Sequence, residues 1–212
     1  MNIRTSPRAK VVIVDYGTGN FLSIKKTVDR MMVDSLVTSR AKDFADADKI
    51  ILPGVGHFGT AMSNLNRLDL IDPLNEAVLD KQIPVLGICL GMELMARHSE
   101  EGDVPGLGWL DAVSIRFRHS DTARYKVPHI GWNQVSIKKK GRLMNDVPAL
   151  AEFYFLHSYY LKIDDQSCLL GETEYETIFP SAIERENVFG VQFHPEKSHD
   201  SGRRILENFI QL

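Results

Sequence analysis

The chain has 212 residues, of which 43% are hydrophobic and 25% charged, and its formal net charge is −3. This balance predicts a packed globular core and argues against a disordered chain, and the scattered basic residues argue against a nucleic-acid-binding surface. Two cysteines are too few for a disulfide scaffold and indicate a reducing compartment.

The amino-terminal residues, 1–10, are polar and basic, and a short apolar run follows them. That run is too short for the core of a signal peptide or for a membrane-spanning helix. We therefore expect a cytoplasmic protein without membrane association. Its length favours one domain over residues 1–212, with a flexible extension at 1–10.

The first half of the sequence alternates short apolar strands with amphipathic helices. Val11–Val14 predicts a buried strand, and a glycine turn at 17–20 leads into a helix whose apolar spacing continues to Met32. Further strands are predicted near 36–38, 50–52 and 85–88, with helices over about 58–65 and 71–81. This alternation is typical of a parallel sheet that is covered on both faces.

The second half, after Gly108, consists mainly of strand-like segments separated by polar or glycine-containing turns. A final helix is predicted over 203–212. We therefore predict an α/β fold with a mostly parallel central sheet, flanking helices and an antiparallel extension. The predicted strands of this half are 112–117, 134–137, 153–156, 169–171, 182–186 and 188–193.

The segment 87–91, Gly-Ile-Cys-Leu-Gly, lies between a predicted strand and a predicted helix. It has the frame of a nucleophile elbow, with Cys89 in the position of the usual serine. A turn this sharp brings the residues two before and two after the nucleophile together, so that only very small side chains fit. The following helix favours a thiolate and directs a backbone N–H toward a developing oxyanion. The alternative for Cys89 is that it is a small buried core residue, as most cysteines of this kind are. Cys168 has no flanking glycines, and we interpret it as such a core residue.

A thiol nucleophile needs a proton acceptor and a group that orients the acceptor. Residues 191–196 read Val-Gln-Phe-His-Pro-Glu. In extended backbone the side chains of residues i and i+2 point to the same side, so His194 and Glu196 are predicted to face one pocket. The other six histidines lack this arrangement. His194 is therefore the candidate base and Glu196 its orienting carboxylate.

With both elements identified, the sequence resembles the class I (triad) glutamine amidotransferases. Among them it is most similar to the glutaminase subunits of imidazole glycerol phosphate synthases. The resemblance runs from Val11 to the C terminus. It is carried by 15–20 (Asp-Tyr-Gly-Thr-Gly-Asn), 52–56 (Leu-Pro-Gly-Val-Gly), 87–92, 128–133 (Pro-His-Ile-Gly-Trp-Asn), 153–159 and 190–198.

The resemblance implies the chemistry of the site. Cys89 attacks the side-chain amide of glutamine, His194 gives a proton to the departing ammonia, and Glu196 orients His194. The backbone N–H groups of Val55 and Leu90 form the oxyanion hole. Gly54 permits the peptide rotation that this loop requires.

The resemblance also implies residues that bind glutamine and a partner. Glu93 departs from the family pattern, which has glutamine at this position. An ionised carboxylate accepts hydrogen bonds but cannot donate them. The implied substrate-binding residues are Glu93, Ser158 and Tyr159, and the implied partner interface comprises Trp132, Asn133, Tyr154 and Lys197.

The implied substrate is L-glutamine, and the implied partner is a separate cyclase subunit with a (β/α)8 barrel, which forms a heterodimer and uses the ammonia in histidine biosynthesis. No metal or cofactor is expected. Gly17 and Gly19 lack the third glycine of a dinucleotide fingerprint, which argues against a bound dinucleotide. Three alternatives remain: a paralogous glutaminase subunit that supplies ammonia for an amidino sugar of surface polysaccharide, a non-catalytic amidotransferase-like subunit, and a cysteine peptidase or esterase.

Overall fold

The structure, a computed structural model, describes residues 10–212. Its strands are β1 (Lys10–Val14), β2 (Asp34–Thr38), β3 (Lys49–Gly54), β4 (Val85–Cys89), β5 (His98–Ser99), β6 (Val104–Pro105), β7 (Ala112–Arg116), β8 (His129–Gln134), β9 (Ser136–Ile137), β10 (Glu152–His157), β11 (Tyr159–Ile163), β12 (Leu169–Tyr175), β13 (Thr177–Arg185) and β14 (Val188–Val191). Its helices are α1 (Phe21–Asp29), α2 (Phe58–Arg67), α3 (Ile71–Asn75), α4 (Leu90–Glu93) and α5 (His199–Ile210).

The main sheet has eight strands in the order β2-β1-β3-β4-β14-β13-β12-β9. Neighbours from β2 to β14 pair in parallel, and those from β14 to β9 pair antiparallel. The prediction of a mostly parallel sheet with an antiparallel extension is therefore confirmed. Two smaller sheets, β10-β8 and β11-β7-β5-β6, complete the strands.

The main sheet has an apolar core on each of its faces. Val12 and Val14 pack into one core, and Val11 and Ile13 pack into the other. All four side chains are completely buried. Their uninterrupted apolar run follows from this geometry, because a parallel strand covered on both sides needs apolar residues at odd and even positions alike.

Several predicted boundaries were wrong. A strand was predicted at 134–137, but the structure has β8, which ends at Gln134, and the short β9 at Ser136–Ile137. The side chains of Ile130 and Trp132 in β8 point toward solvent, whereas apolar residues of a strand are expected to face the core. The segments β5, β6 and β11 were not predicted, and the first two have only two residues each. Helix α1 ends at Asp29, before the predicted Met32.

The two ends of the described chain also differ from the prediction. Lys10 begins β1 and does not belong to a flexible extension, and residues 1–9 of that extension lie outside the described residues. The last helix, α5, begins at His199, four residues before its predicted start. Among residues 10–212, no helix has both the length and the apolar character that crossing a membrane requires.

The turn between β4 and α4 has the close packing that the elbow motif predicts. Cys89 has φ 53° and ψ −114°, a combination that costs a residue other than glycine on the order of 1–3 kcal/mol. A Cβ atom on Gly87 would lie 2.7 Å from the backbone of Met92, and one on Gly91 would overlap the carbonyl oxygen of Leu52. The turn therefore tolerates no side chain at either glycine.

We predict that Gly91→Ala destabilises the fold, because its methyl group would collide with rigid backbone of β3. The expected loss is on the order of 2–3 kcal/mol in the free energy of unfolding, measured by urea denaturation. Gly108→Ala is a suitable comparison, because nothing lies within 4 Å of the added carbon there, although its φ of 72° adds backbone strain. Equal losses in the two variants would contradict the packing argument.

Candidate active site

The site lies where three neighbouring parallel strands end. Gly54 at the end of β3 is in register with Cys89 at the end of β4, and Ile88 of β4 is in register with Val191 of β14. The chain continues from β14 to His194, three residues beyond Val191. The fold therefore brings two segments more than 100 residues apart to the carboxyl edge of the sheet, where α/β proteins bind ligands.

His194 and Glu196 form a buried pair. The Nδ1 atom of His194 lies 3.0 Å from Oε1 of Glu196, and the two side chains are 1% and 0% exposed. The pair does not arise from an extended strand, as predicted, because Pro195–Lys197 forms a single 3-10 turn that begins directly after His194. The predicted proximity is present, but its structural cause is this turn.

The backbone around His194 is fixed by β10. The amide of His194 donates to the carbonyl oxygen of Tyr154 at 2.9 Å. The hydroxyl of Ser198 donates to the carbonyl oxygen of His194 at 2.6 Å and accepts from the amide of Tyr154 at 3.0 Å. These three bonds hold the imidazole in one position relative to β10.

The charges of the site favour an imidazolium. Burial lowers the pKa of His194, but the neighbouring sulfur of Cys89 and the carboxylate of Glu196 outweigh burial and raise that pKa above its ordinary value. Burial likewise opposes ionisation of Glu196, yet its bond to His194 keeps the pKa of Glu196 below its ordinary value. The pair can thus hold a proton on the ring without neutralising the carboxylate.

The thiol of Cys89 is 4% exposed and lies beside this pair. It donates to the carbonyl oxygen of Leu156 at 3.6 Å and accepts from Nε2 of Gln192 at 3.9 Å. The Nε2 atom of His194 is buried and has no partner of ordinary hydrogen-bond geometry among the described residues. Nε2 is therefore the ring nitrogen that can exchange a proton with the sulfur.

Asn20 is a contact of Glu196 that the sequence analysis missed. Its Nδ2 atom donates to Oε1 of Glu196 at 3.1 Å. The same oxygen of Glu196 faces Nδ1 of His194. Asn20 therefore helps to hold the Glu196 carboxylate, which in turn orients the ring of His194. Asn20 belongs to the motif 15–20, but no spacing rule connects a residue in that motif with one 176 positions away.

A cavity of about 210 Å³ adjoins Cys89. It is smaller than the roughly 300–1,000 Å³ of a site for drug-sized ligands and so suits a molecule as small as an amino acid. The predicted Glu93, Ser158 and Tyr159 all line it, together with the predicted Val55 and Leu90. The remaining lining residues are Gly56, Glu101, Pro128, Leu156, His157 and Cys89 itself.

Glu93 is buried without a cationic partner. Nε2 of Gln192 donates to its Oε1 at 2.8 Å, and the hydroxyl of Ser114 lies 3.3 Å from its Oε2. Burial, reinforced by the negative charge of Glu101, raises the pKa of Glu93 to about 8, although the two hydrogen bonds oppose the shift. Glu93 is therefore largely neutral at pH 7 and can donate a hydrogen bond as the usual glutamine does.

The loop 53–56 is anchored by Tyr16. The hydroxyl of this fully buried residue donates to the carbonyl oxygen of Pro53 at 2.5 Å, and burial raises its pKa, so the hydroxyl keeps its proton. A Cβ atom on Gly54 would lie 2.5 Å from that hydroxyl and 2.7 Å from Cβ of Leu90. Gly54 therefore lets the loop lie directly against the nucleophile turn.

The residues predicted at a partner interface divide into two groups. Trp132 is 45% exposed, stacks on His199 at 5.0 Å between ring centroids and meets Tyr154 edge-on at 6.0 Å. Lys197 places its ammonium 5.5 Å from the ring centroid of Tyr154. Asn133 is directed inward instead, where its Nδ2 donates to the carbonyl oxygen of Glu174 at 3.0 Å.

Within residues 10–212 no group of three or more acidic, histidine or cysteine side chains could hold a metal ion.

Comparison with family models gives a match to "Glutamine amidotransferase class-I" over residues 12–212. Among curated proteins, the chain is 45% identical over 201 residues to imidazole glycerol phosphate synthase subunit HisH 2 of Methanococcus maripaludis, covering 95% of this chain and 98% of the relative. It is 42% identical over 202 residues to HisH 2 of Pseudomonas aeruginosa, covering 95% and 99%. With HisH of Methanocaldococcus jannaschii the identity is 43%, covering 94% and 98%.

Solved structures agree on the fold. A structure titled as a glutamine amidotransferase superposes with a TM-score of 0.74 at 17% identity and covers 94% of this chain and 97% of its own. PurLQS of Thermotoga maritima superposes with a TM-score of 0.74 at 13% identity and covers 96% and 98%. At these identities the likeness concerns the arrangement of the elements alone.

The raised pKa of Glu93 predicts a pH-dependent stability. The unfolded chain releases this proton near pH 4.5 and the folded chain near pH 8, so the wild type should lose stability relative to Glu93→Gln as the pH rises between these values. The difference in the free energy of unfolding should grow by on the order of 3 kcal/mol between pH 5 and pH 8.5, measured by urea denaturation. Glu174→Gln, at an exposed carboxylate, is the control. A difference independent of pH would mean that Glu93 is already ionised near pH 5.

Proposed function

The chain belongs to the class I glutamine amidotransferase family, and we propose that it is the glutaminase subunit of an imidazole glycerol phosphate synthase. It hydrolyses glutamine to glutamate and ammonia for a synthase partner. The observation that carries this proposal is the buried set of thiol, imidazole and carboxylate beside a cavity the size of an amino acid. Identities of 37–45% over 94–95% of the chain with subunits named HisH support the pathway.

In the first half-reaction the Cys89 thiol transfers its proton to Nε2 of His194, and the sulfur attacks the side-chain carbonyl carbon of glutamine. The tetrahedral intermediate collapses when His194 returns the proton to the amide nitrogen, so that the carbon–nitrogen bond breaks and ammonia leaves. A thioester between Cys89 and the glutamyl group remains. Glu196 and Asn20 stabilise the imidazolium through both steps.

In the second half-reaction water replaces ammonia beside the ring. His194 removes a proton from the water as its oxygen attacks the thioester carbon, and the sulfur then leaves with that proton. Glutamate and the free thiol are the products. The oxyanion of both intermediates faces the backbone N–H groups of Val55 and Leu90, each of which contributes about 3 kcal/mol to the stabilisation of the transition state. Gly54 lets the loop adopt the orientation that this requires.

Glutamine binds in the cavity with its side-chain amide toward Cys89. Ser158 and Tyr159 hold its amino-acid end through their backbone, and Glu93 contacts it as a neutral acid. Glu101 lines the same cavity and, as a carboxylate, suits the α-ammonium group. Glu101 was not predicted, because it is one of three acidic residues in the polar segment 98–103 and nothing local distinguishes it from Glu100 or Asp103.

The partner is a separate cyclase subunit with a (β/α)8 barrel, bound as a heterodimer. Its docking surface comprises Trp132, Tyr154 and Lys197, which form one aromatic and cationic cluster. Aromatic residues of this kind are common at the centre of protein interfaces. Asn133 supports this surface from behind through its contacts with the protein interior.

A second candidate function differs only in the acceptor of the ammonia. In this alternative the barrel partner makes an amidino sugar for surface polysaccharide, and Glu93 in place of the family glutamine is the observation that favours such a paralogue. Co-purification of the barrel subunit from the native host, followed by an assay of the acceptor that it aminates, decides between the two. Amination of the histidine precursor supports the first proposal, and amination of a sugar supports the second.

Cys89→Ala should abolish glutamine-dependent synthesis by the complex and leave synthesis from ammonium salts intact, because the partner performs the second reaction. The measurement compares both nitrogen sources in the purified heterodimer. Cys168→Ala is the matched control, since Cys168 is a second buried free cysteine whose thiol donates to the carbonyl oxygen of Asp165 at 3.0 Å. Loss of both activities in Cys89→Ala would assign Cys89 a structural role.

Asn20→Ala should lower kcat for glutamine hydrolysis by about tenfold with little change in KM, because it removes a hydrogen bond to the charged Glu196. Asn20→Asp should be at least as impaired, since two carboxylates would then face each other. Asn66→Ala, on the exposed side of α2, is the control. A normal kcat in both Asn20 variants would show that Glu196 needs no support from the loop 15–20.

A further inference from the structure

Two histidines that take no part in the proposed chemistry form a buried chain of hydrogen bonds at the wall of the glutamine cavity, which His157 itself lines. His129 and His157 face each other across β8 and β10, and they are 3% and 6% exposed. The Nδ1 atom of His129 lies 2.9 Å from Nε2 of His157. Most polar groups buried to this degree are hydrogen-bonded, and the partners of the two rings give the direction of each bond.

The direction of the chain is fixed at both ends. The Nδ1 atom of His157 lies 2.7 Å from the carbonyl oxygen of Tyr159, which can only accept, so the hydrogen of His157 is on Nδ1. Its Nε2 is then an acceptor, and His129 must donate to it from Nδ1. The Nε2 atom of His129 in turn faces Nδ2 of Asn133 at 3.4 Å, whose second hydrogen goes to the carbonyl oxygen of Glu174.

This pattern requires both rings to be neutral, and their surroundings favour that state. His129 lies between the rings of Tyr175 and Phe155, at 4.0 Å and 4.9 Å between centroids. Burial lowers the pKa of His129 to about 4 and that of His157 to about 3. Neither ring is therefore suited to proton transfer at neutral pH. The two rings contribute to the site through the hydrogen bonds that they form.

The chain of hydrogen bonds ends at Tyr159, which belongs to the wall of the glutamine cavity. The segment 156–159 contributes four lining residues in succession, and its first carbonyl oxygen, that of Leu156, accepts from the Cys89 thiol. This segment passes from β10 to β11 with only Ser158 between them. The bond from His157 to Tyr159 closes it into a fixed turn, and Pro128, next to His129, also lines the cavity.

We infer that His129 and His157 are positioning residues that hold the segment 156–159 in the shape that binds glutamine, without touching the reacting atoms. This inference rests on the proposed glutaminase function. It separates binding from chemistry, because the ring of His194 is bonded to Glu196 and its backbone to Tyr154 and Ser198, and none of these bonds involves the two histidines. Loss of the pair should therefore weaken glutamine binding and leave the nucleophile intact.

The test measures alkylation of Cys89 by a diazoketone analogue of glutamine, as a function of its concentration, with the full chain. The half-saturating concentration reports binding, and the limiting rate reports the chemistry. His157→Phe and His129→Phe should raise the half-saturating concentration by about tenfold, the effect of one lost buried hydrogen bond, and change the limiting rate by less than about threefold. Alkylation by iodoacetamide, which needs no glutamine site, should be unchanged.

Two further variants exclude a general loss of packing. His157→Asn keeps a donor near the position of Nδ1 and should restore most of the binding. His119→Phe removes another buried histidine of the same aromatic cluster, which contacts Glu176 and does not line the cavity, and it should bind the analogue as the wild type does. Thermal denaturation of each variant identifies any that fail to fold.

The inference is overturned if His157→Phe binds the analogue normally, or if His119→Phe loses binding to the same degree. It is also overturned if the limiting rate falls as much as the binding does. If the wild type neither hydrolyses glutamine nor reacts with the analogue, the proposed glutaminase function fails, and that outcome is distinct from a failure confined to the histidine variants.

Discussion

The parallel pairing of β4 with β14 is the constraint on which the rest of the site depends. It sets Ile88 beside Val191, and both strands end within one residue of this pair, at the same edge of the sheet. Cys89, the last residue of β4, turns sharply there, and His194, three residues beyond the end of β14, turns back toward it. A slip of this register by one residue would place the thiol on the opposite face of the sheet from the ring.

The site combines a strained nucleophile with a rigid base. Cys89 occupies backbone angles that a residue other than glycine adopts only at a cost, and the tight contacts at Gly87 and Gly91 maintain them. His194 is fixed by bonds from its ring, its amide and its carbonyl oxygen. In the proposed mechanism, such preorganisation lets the two groups exchange a proton with little reorganisation.

The strand β10 connects the parts of the molecule that the reaction requires. Tyr154 holds the backbone of His194, Leu156 accepts from the thiol, and His157 bonds to the carbonyl oxygen of Tyr159 in the cavity wall. The neighbouring strand β8 carries Trp132 on its outer side and His129 on its inner side. The outer side of these two strands therefore lies directly opposite residues that contact His194 and Cys89.

The sequence predicted the elements whose signals are local. A few neighbouring residues are enough to recognise each of these signals: the glycines around Cys89, the apolar runs of β1, β3 and β4, and the His-Pro-Glu segment. Other features were not predictable in this way, because their causes are distant in sequence. Asn20 reaches Glu196 across the fold, β8 exposes its apolar side chains to solvent, and the 3-10 turn at 195–197 replaced the predicted extended backbone. The short helix α4 also has only one turn, so its dipole is smaller than the sequence suggested.

The central claim is that Cys89 becomes covalently attached to the glutamyl group of the substrate. The most direct measurement is mass spectrometry of the protein after an acid quench during turnover with glutamine, followed by proteolysis to locate any adduct. A glutamyl thioester is expected on the peptide that contains Cys89 and none on the peptide that contains Cys168. Hydrolysis of glutamine at full rate with no adduct on Cys89 would contradict the central claim.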